Sequence, residues 1–178
     1  EVFAPPEVSV GPRKTIIYIG RLEKKRIEAL RHLAIAHEAV VKGPLRIISN
    51  WNPGIPGTIF KPWQPDLVPH FQNAGIVAAC GRTAREAMSC GNAVLLMQQT
   101  YDGIISPQLV TRHDFDFSGN LGRFPYANLK SDLGGLLRSS HRLKKLQNWS
   151  RRYSLVHLSS EQMAKRTAEV YVNALKFP

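Results

Sequence analysis

The stretch GIVAACGRTAREAMSCGNAVLLM, residues 75–97, contains the pattern that decides the fold. Gly75 to Ala79 is a short, continuous apolar run, which is typical of a strand buried on both faces. A helical segment follows and stops at Gly91, and Ala93 to Met97 is a second apolar run. Two buried strands joined by a helix form a βαβ unit, whose strands are parallel and whose crossover is right-handed.

The same alternation of strands and helices continues on both sides of this stretch. Further strands are predicted at Thr15 to Gly20, Leu45 to Ser49 and Thr58 to Phe60, and helices at Ile27 to Val41, at Asp66 to Asn73 and over the C-terminal part, with irregular chain and a short strand or two over residues 100–125. We therefore expect an α/β fold, a doubly wound, Rossmann-like parallel sheet over residues 14–178, preceded by a linker remnant over residues 1–13.

Composition sets the class of protein. The 178 residues include 24 Lys and Arg against 13 Asp and Glu, a net charge of +11, which predicts an anionic ligand or partner. No apolar run is long enough to span a membrane and no signal peptide is evident. Cys80 and Cys90 lack the spacing of a zinc site or a disulfide framework, so we expect a cytoplasmic protein.

Gly81 marks the candidate anion site. In a doubly wound sheet, ligands bind beyond the carboxyl ends of the strands, where helix N-termini point. Glycine lets the backbone approach a ligand closely, and the first-turn N–H groups with the helix dipole favour a phosphate. Arg82 and Thr83 can add donors, and a carboxylate at Glu86 suits the two hydroxyls of a sugar diol. The alternative is that Thr83 to Glu86 forms a capping box and binds nothing.

The segment from Gly81 to Val94 resembles the donor-binding signature of retaining GT-B glycosyltransferases of the group 1 type, E-x-F-G-(L/I)-x-x-x-E-A-M-A-x-G-x-P-V. Further resemblances follow in order: Ile17 to Arg26 with the family's G-R-L-x-x-x-K element, and Tyr101 to Ile104 and Phe117 to Gly119 with a bacterial subset. The resemblance covers residues 13–178, and the order and spacing of its motifs carry it more than any single motif.

The resemblance implies site residues. Arg21 with Lys25 or Arg26 would clamp a diphosphate, together with Gly81, Arg82 and Thr83, and Glu86 would bind the ribose. The family's first glutamate, which contacts the transferred sugar, falls on Ala78 in this chain. We expect Asp102 to take over part of this sugar recognition; the alternative is an aspartate that caps its own turn.

The function implied is that of the donor-binding half of a glycosyltransferase. It would hold a nucleotide-diphosphate sugar, expected to be a UDP-sugar, while a separate N-terminal domain binds the acceptor of the hexosyl group. No catalytic residue is assigned to this half, and the family needs no metal because cations and helix termini stabilise the leaving diphosphate. Alternatives are a nucleotide-sugar epimerase of the same architecture and a non-catalytic binding domain. No motif supports nucleic-acid binding.

A basic segment from Leu133 to Ser160 contains no Asp or Glu. Its leucines and Trp149 are interleaved with cations, a pattern compatible with docking on an anionic membrane surface. The competing interpretation is that the leucines pack against the sheet or another domain.

Other residues gave weaker signals. Trp63 lies where the family passes the nucleobase, as a lining or a rim residue. His37 is expected in or beside the packed face of the first helix, and Asp114 with Asp116 is a weak candidate pair for acid–base chemistry.

Overall fold

The computed structural model describes residues 3–6 and 13–176, whose strands form one six-stranded sheet. The strands are β1 (Ile16–Ile19), β2 (Leu45–Ser49), β3 (Thr58–Pro62), β4 (Ile76–Ala79), β5 (Ala93–Met97) and β6 (Tyr101–Ile104). Their spatial order is β3-β2-β1-β4-β5-β6, and the direction of winding reverses between β1 and β4. This is the order of a doubly wound sheet, so the predicted fold class is confirmed.

The sheet is parallel except at one edge. β1 to β5 pair in parallel, whereas β6 runs antiparallel to β5. Residues 98–100 alone separate these last two strands, a link long enough for a hairpin but too short for a parallel crossover.

Helices cover both faces of the sheet. They are α1 (Ile27–Glu38), preceded by a 3-10 turn at Lys24–Arg26, then α2 (Val68–Asn73), α3 (Gly81–Ser89), α4 (Pro107–Val110), α5 (Asn128–Arg138), α6 (Ser140–His157) and α7 (Ser160–Lys176). Leu30 and Leu133, from α1 and α5, belong to one core cluster. Phe71 and Met88, from α2 and α3, belong to the cluster on the opposite face. His37 is buried on α1, as predicted.

The connection between β2 and β3, residues 50–57, has no helix. Parallel neighbours are normally joined by a crossover of a dozen or more residues, which is usually helical. Here Ile55 from the loop is buried in the same core cluster as Leu45 and Ile47, so the loop itself seals this part of the sheet.

The leucines of the basic segment face the core. Leu133, Leu136 and Leu143 are fully buried, and Leu146 and Trp149 pack against the two clusters. Arg142, Lys145 and Arg152 are exposed on the other side of α6. The sequence pattern therefore separates into an apolar inner face and a basic outer face, which confirms that the leucines pack inside and corrects the idea that they insert into a membrane. Among the described helices, none combines the length and apolar character that a membrane crossing requires.

Part of the predicted linker contacts the domain. Phe3 packs edge-on against Phe71 at 6.1 Å, and the Ala4 carbonyl accepts a hydrogen bond from Gln72. Arg13 donates to four backbone carbonyls, so it is an integral part of the fold. The rest of the linker prediction, residues 1–2 and 7–12, lies outside the described residues.

Candidate ligand site

Two turns meet at the carboxyl edge of the sheet. β1 and β4 are parallel neighbours with Tyr18 opposite Ala78, so Gly20 and Cys80 end their strands side by side. The Gly20–Arg21 and Gly81–Arg82 turns therefore follow adjacent strands at the switch point. The prediction that these two turns approach each other at one edge is confirmed.

The β4–α3 junction is a direct strand-to-helix turn at Gly81. Gly81 has φ +57°, a left-handed conformation that favours glycine, and a Cβ added there would meet nothing within 4 Å. Its N–H donates to the Phe117 carbonyl at 2.6 Å, and the Ala84 N–H donates to the Cys80 carbonyl at 3.3 Å. The first-turn amides left for a ligand are those of Arg82 and Thr83, beside open space.

Glu86 is held by Arg82. The Arg82 Nε to Glu86 Oε1 distance is 2.6 Å, and the arginine side chain is 87% exposed whereas the glutamate is 13% exposed. The helix begins at Gly81 with Cys80 at the N-cap and no side-chain cap, so the alternative capping box between Thr83 and Glu86 is not formed. A carboxylate partnered by one solvated arginine, one turn from the free amides, is available to accept from hydroxyl groups.

Ala78 lies inside β4 and is fully buried in a core cluster. Cys80 is the one residue between β4 and α3. A longer side chain at position 78 would enter the apolar core and could not face the edge of the sheet. The difference from the family signature is therefore one of chain path as well as residue type.

Arg26 bridges the loops of the site. Its Nη1 donates to the Arg21 carbonyl at 2.7 Å, and its Nη2 lies 3.5 Å from Glu23 Oε1. With the Gln98 amide oxygen turned toward it, Arg26 Nε donates to that oxygen at 3.1 Å. These contacts occupy most of the guanidinium donors, so Arg26 ties the segment after β1 to the segment after β5.

Arg21 and Lys25 remain outside this bridge. Arg21 is exposed, and Lys25 forms only a solvated pair with Glu23 at 3.4 Å. The next residue, Leu22, is fixed from β2: its N–H donates to Asn50 Oδ1 at 2.6 Å, and its carbonyl accepts from Trp51 Nε1 at 3.0 Å. The backbone that carries Arg21 is thus fixed while its side chain is free to reach a ligand.

Tyr18 and Cys80 are the weak acids beside this edge. Burial raises the pKa of the Tyr18 hydroxyl, and Cys80 adds to this effect while Arg26 opposes it. Burial also raises the pKa of the Cys80 thiol, and Arg26 again opposes the shift. Both groups are therefore neutral near pH 7, and the charge at the edge comes from the arginines, lysines and glutamates.

Asp102 holds a loop instead of facing the edge. Its carboxylate is fully buried, accepts from the Leu121 and Arg123 N–H groups at 3.1 Å each, and lies 3.7 Å from the Arg123 guanidinium. A carboxylate enclosed in this way has no path to a sugar. The expected sugar contact is thus corrected: the contacts of Asp102 are those of the alternative, an aspartate that orders its own turn.

The loop partner of Asp102 was not found from the sequence. Arg123 is 7% exposed, and it also lies 3.4 Å from Asp114. Asp114 pairs in addition with Arg112 at 3.1 Å, and Asp116 accepts from the Ser118 N–H at 2.7 Å. Both aspartates therefore serve the loop, and the Asp102–Arg123 pair gave no local sequence signal because its partners are far apart in the chain.

Trp63 follows β3 at the same edge of the sheet and is 44% exposed. Among the described residues 3–6 and 13–176, no three His, Cys, Asp or Glu side chains are grouped to hold a metal ion.

Comparison with known proteins gives matches in structure and none in sequence. No family model and no curated protein matches the chain. The C-terminal domain of the glycosyl transferase group 1 family protein LpcC from Francisella tularensis matches with a TM-score of 0.63 at 15% identity, over 89% of this chain and 97% of that domain. The fold is thus that of a GT-B C-terminal domain.

Two longer proteins match the same way. TarM from S. aureus, solved with Fondaparinux, alpha-GlcNAc-glycerol and UDP, gives a TM-score of 0.67 at 12% identity over 96% of this chain. Anabaena HepE, solved with UDP and glucose, gives 0.64 at 12% identity over 90% of this chain. The chain spans 38% of TarM and 49% of HepE.

Proposed function

We propose that this chain is the donor-binding domain of a glycosyltransferase and holds a nucleoside diphosphate-sugar, UDP-linked, at the carboxyl edge of the sheet. The observation that carries the proposal is the adjacency of the Gly20–Arg21 and Gly81–Arg82 turns at the switch point. Doubly wound sheets bind ligands in this crevice. The UDP in the structural relatives TarM and HepE supports the choice of nucleotide.

The diphosphate would lie between the two turns. The Arg82 and Thr83 amides, with the positive end of the α3 dipole, would donate to one phosphate from the open side of Gly81. Arg21, with Lys25 beside it, would neutralise the remaining charge, and its guanidinium can bind phosphate oxygens in a bidentate way. Arg26 would act through the loops it connects.

Glu86 would accept from the ribose hydroxyls. It lies one turn into α3 and its carboxylate is partly accessible beside Arg82. On binding, the hydroxyls would share the carboxylate with the Arg82 guanidinium, or displace it toward the diphosphate.

The acceptor would be bound by a second, N-terminal domain. The chain spans less than half of TarM and HepE, and we infer that the transfer of a hexosyl group takes place in a cleft between the two halves. Positioning of two substrates across such a cleft supplies much of the rate, so the chain alone should bind donor and transfer little.

Parallel calorimetric titrations with UDP, GDP and inorganic phosphate test the proposal. We expect UDP to bind more tightly than GDP, and both more tightly than phosphate. Arg21→Ala should weaken UDP binding, whereas Arg138→Ala, an exposed arginine at the end of α5, is the matched control and should not. Equal UDP affinity in both variants would show that the ligand does not lie between the turns.

The ribose contact is tested by pairing a variant with a truncated ligand. Glu86→Gln should weaken UDP binding by about 1–2 kcal/mol, the effect of a charged hydrogen bond. The same substitution should matter much less for 2′-deoxy-UDP, because the ligand then lacks one partner hydroxyl. Equal losses for the two ligands would remove Glu86 from the ribose site.

A non-catalytic binding domain is the second candidate. The observation that favours it is the burial of Ala78 in the strand, because the position that carries a sugar-binding glutamate in the family signature cannot face the ligand here. A domain of this kind should bind UDP and UDP-glucose equally well. Tighter binding of UDP-glucose than UDP would instead indicate a sugar pocket formed by other residues.

A further inference from the structure

A groove of about 540 Å³ lies on one face of the sheet, between α2 and the strands β1, β2 and β3. Its apolar wall consists of Ile17, Ile48 and Ile59. Thr15 and Ile17 place it at the amino-terminal half of β1, whereas the candidate donor site lies beyond Gly20 at the other end of that strand. The groove and the donor site are therefore separate features.

Three basic side chains from three different elements converge on this groove: Arg46 from β2, Lys61 from β3 and His70 from α2. The strand register pairs Arg46 with Ile59 and Ile48 with Lys61, so Arg46 and Lys61 lie on the same face two residues apart. Burial lowers the pKa of His70, and the charges of Lys61 and Arg46 lower it further. These shifts agree with the close approach of the three groups.

No acid neutralises the cluster directly. In the part of the chain that the structure describes, neither Arg46 nor Lys61 takes part in an ion pair or a side-chain hydrogen bond. Asp66 raises the pKa of His70, but its carboxylate accepts from the Val68 N–H at 2.9 Å and does not line the groove. Asn73 adds an amide to the lining.

An arrangement of this kind has a free-energy cost that an anion would relieve. Like charges close together over an apolar wall repel each other more strongly than in bulk water. A lysine on an edge strand such as β3 is common because it prevents edge-to-edge pairing. That explanation covers Lys61 and leaves out Arg46, which lies on β2 inside the sheet and borders the same groove.

We infer that this groove binds a small phosphorylated molecule, a phosphomonoester with a short apolar or neutral body. Arg46 and Lys61 pair with the phosphate oxygens, His70 and Asn73 complete its hydrogen bonds, and the isoleucine wall contacts the body. The volume lies within the range of small-molecule sites. The inference stands apart from the proposed donor site, and neither depends on the other.

The test is a titration of the 178-residue chain followed by two-dimensional NMR, reading the His70 ring and the backbone amides of β3. The probes are inorganic phosphate and glycerol 3-phosphate, with glycerol and potassium chloride at matched ionic strength as controls, and each titration is run with and without excess UDP. We expect saturable shifts at His70 and β3 with both phosphates, alike in the two UDP conditions. Glycerol 3-phosphate should bind more tightly than phosphate.

Variants assign the shifts to the groove. Lys61→Gln and Arg46→Gln should each lower the affinity for glycerol 3-phosphate by about tenfold, the effect of one charge-assisted hydrogen bond. Lys42→Gln removes an exposed lysine that does not line the groove and should leave the affinity unchanged. Shifts that are linear in concentration, that potassium chloride reproduces, or that survive both groove variants would overturn the inference. Phosphate shifts confined to the Arg82 and Thr83 amides would also overturn it, and would support the donor site instead.

Discussion

Arg13 and Arg21 lie at opposite edges of one sheet and differ in every contact. At the amino edge, Arg13 Nη1 donates to the Phe71 and Gln72 carbonyls at 2.9 and 2.8 Å, and Nη2 donates to the Cys90 and Gly91 carbonyls at 2.7 and 2.8 Å. At the carboxyl edge, Arg21 is exposed while its backbone is held by Arg26. One arginine is used for the fold, and the other remains for a ligand. The difference teaches that cations in a basic sequence must be sorted by their acceptors.

The largest expected effect is at the amino edge. Arg13→Ala should lower the free energy of unfolding by about 3 kcal/mol or more, because part-buried carbonyls lose charged donors. Arg13→Lys should recover little of this loss, since one ammonium group cannot form two bidentate pairs. Urea unfolding followed by circular dichroism measures both, with Arg138→Ala as the control. A loss below about 0.5 kcal/mol for Arg13→Ala would make the two edges equivalent in stability.

Arg21→Ala should show the reverse pattern. Its unfolding free energy should stay within about 0.5 kcal/mol of the parent chain, as for other exposed positions. Its UDP affinity should fall by about 1–3 kcal/mol, from about fivefold to about a hundredfold in Kd. Urea unfolding and calorimetry on the same preparation separate the two quantities. A variant that lost stability and kept its UDP affinity would invert the comparison.

Gly81→Ala is expected to have a smaller effect that comes from the backbone. The left-handed φ of Gly81 should cost an alanine about 1–2 kcal/mol, although space is open around it. Gly135→Ala in α5 is the matched control, since alanine is favoured over glycine inside a helix and the nearest obstacle is the mobile end of Arg142. Thermal unfolding should therefore move in opposite directions for the two variants. Equal shifts would mean that the turn at Gly81 is not strained by a side chain.

The smallest expected effect concerns pH. Burial lowers the pKa of His37, so the unfolded chain binds this proton more readily than the folded chain. The stability contributed by neutral His37 is thus present above the ordinary histidine pKa of about 6.5 and is lost as the pH falls below it. Urea unfolding at pH 7.5 and 5.5 should show a smaller drop for His37→Gln than for the parent chain. Replacing the exposed His113 by Gln should leave the drop unchanged.

Local patterns were sufficient to predict the strands and helices of the sheet. Apolar runs ended by glycine at Gly20 and Gly91 identify buried strands and helix ends because a fully buried strand and a helix differ in period and punctuation. The Gly81 turn was also predictable, since a strand, a glycine and an immediate helix leave little choice of conformation. The direction of β6 was not predicted, because it depends on the length of a link within an irregular segment.

Contacts between distant segments explain what the sequence could not predict. Arg13 was assigned to the linker because its carbonyl partners lie 58 to 78 residues further along the chain. Asp102 suggested a ligand contact, since an aspartate before a glycine gives no sign of the buried Arg123 that pairs with it. The groove at Arg46, Lys61 and His70 was missed for the same reason: no two of its bases are neighbours in sequence.

The short connection between β2 and β3 has a consequence for the kinetics of folding. Closing a loop over residues 50–57 costs less chain entropy than closing one around a crossover helix. Pairing of β2 with β3 is therefore the most local contact between strands on this side of the sheet, and local contacts favour fast folding. Once these strands have paired, Asn50 and Trp51 are in position to capture Leu22 as β1 docks. The half of the sheet that lacks a helix can thus serve as the template on which the backbone carrying Arg21 is ordered.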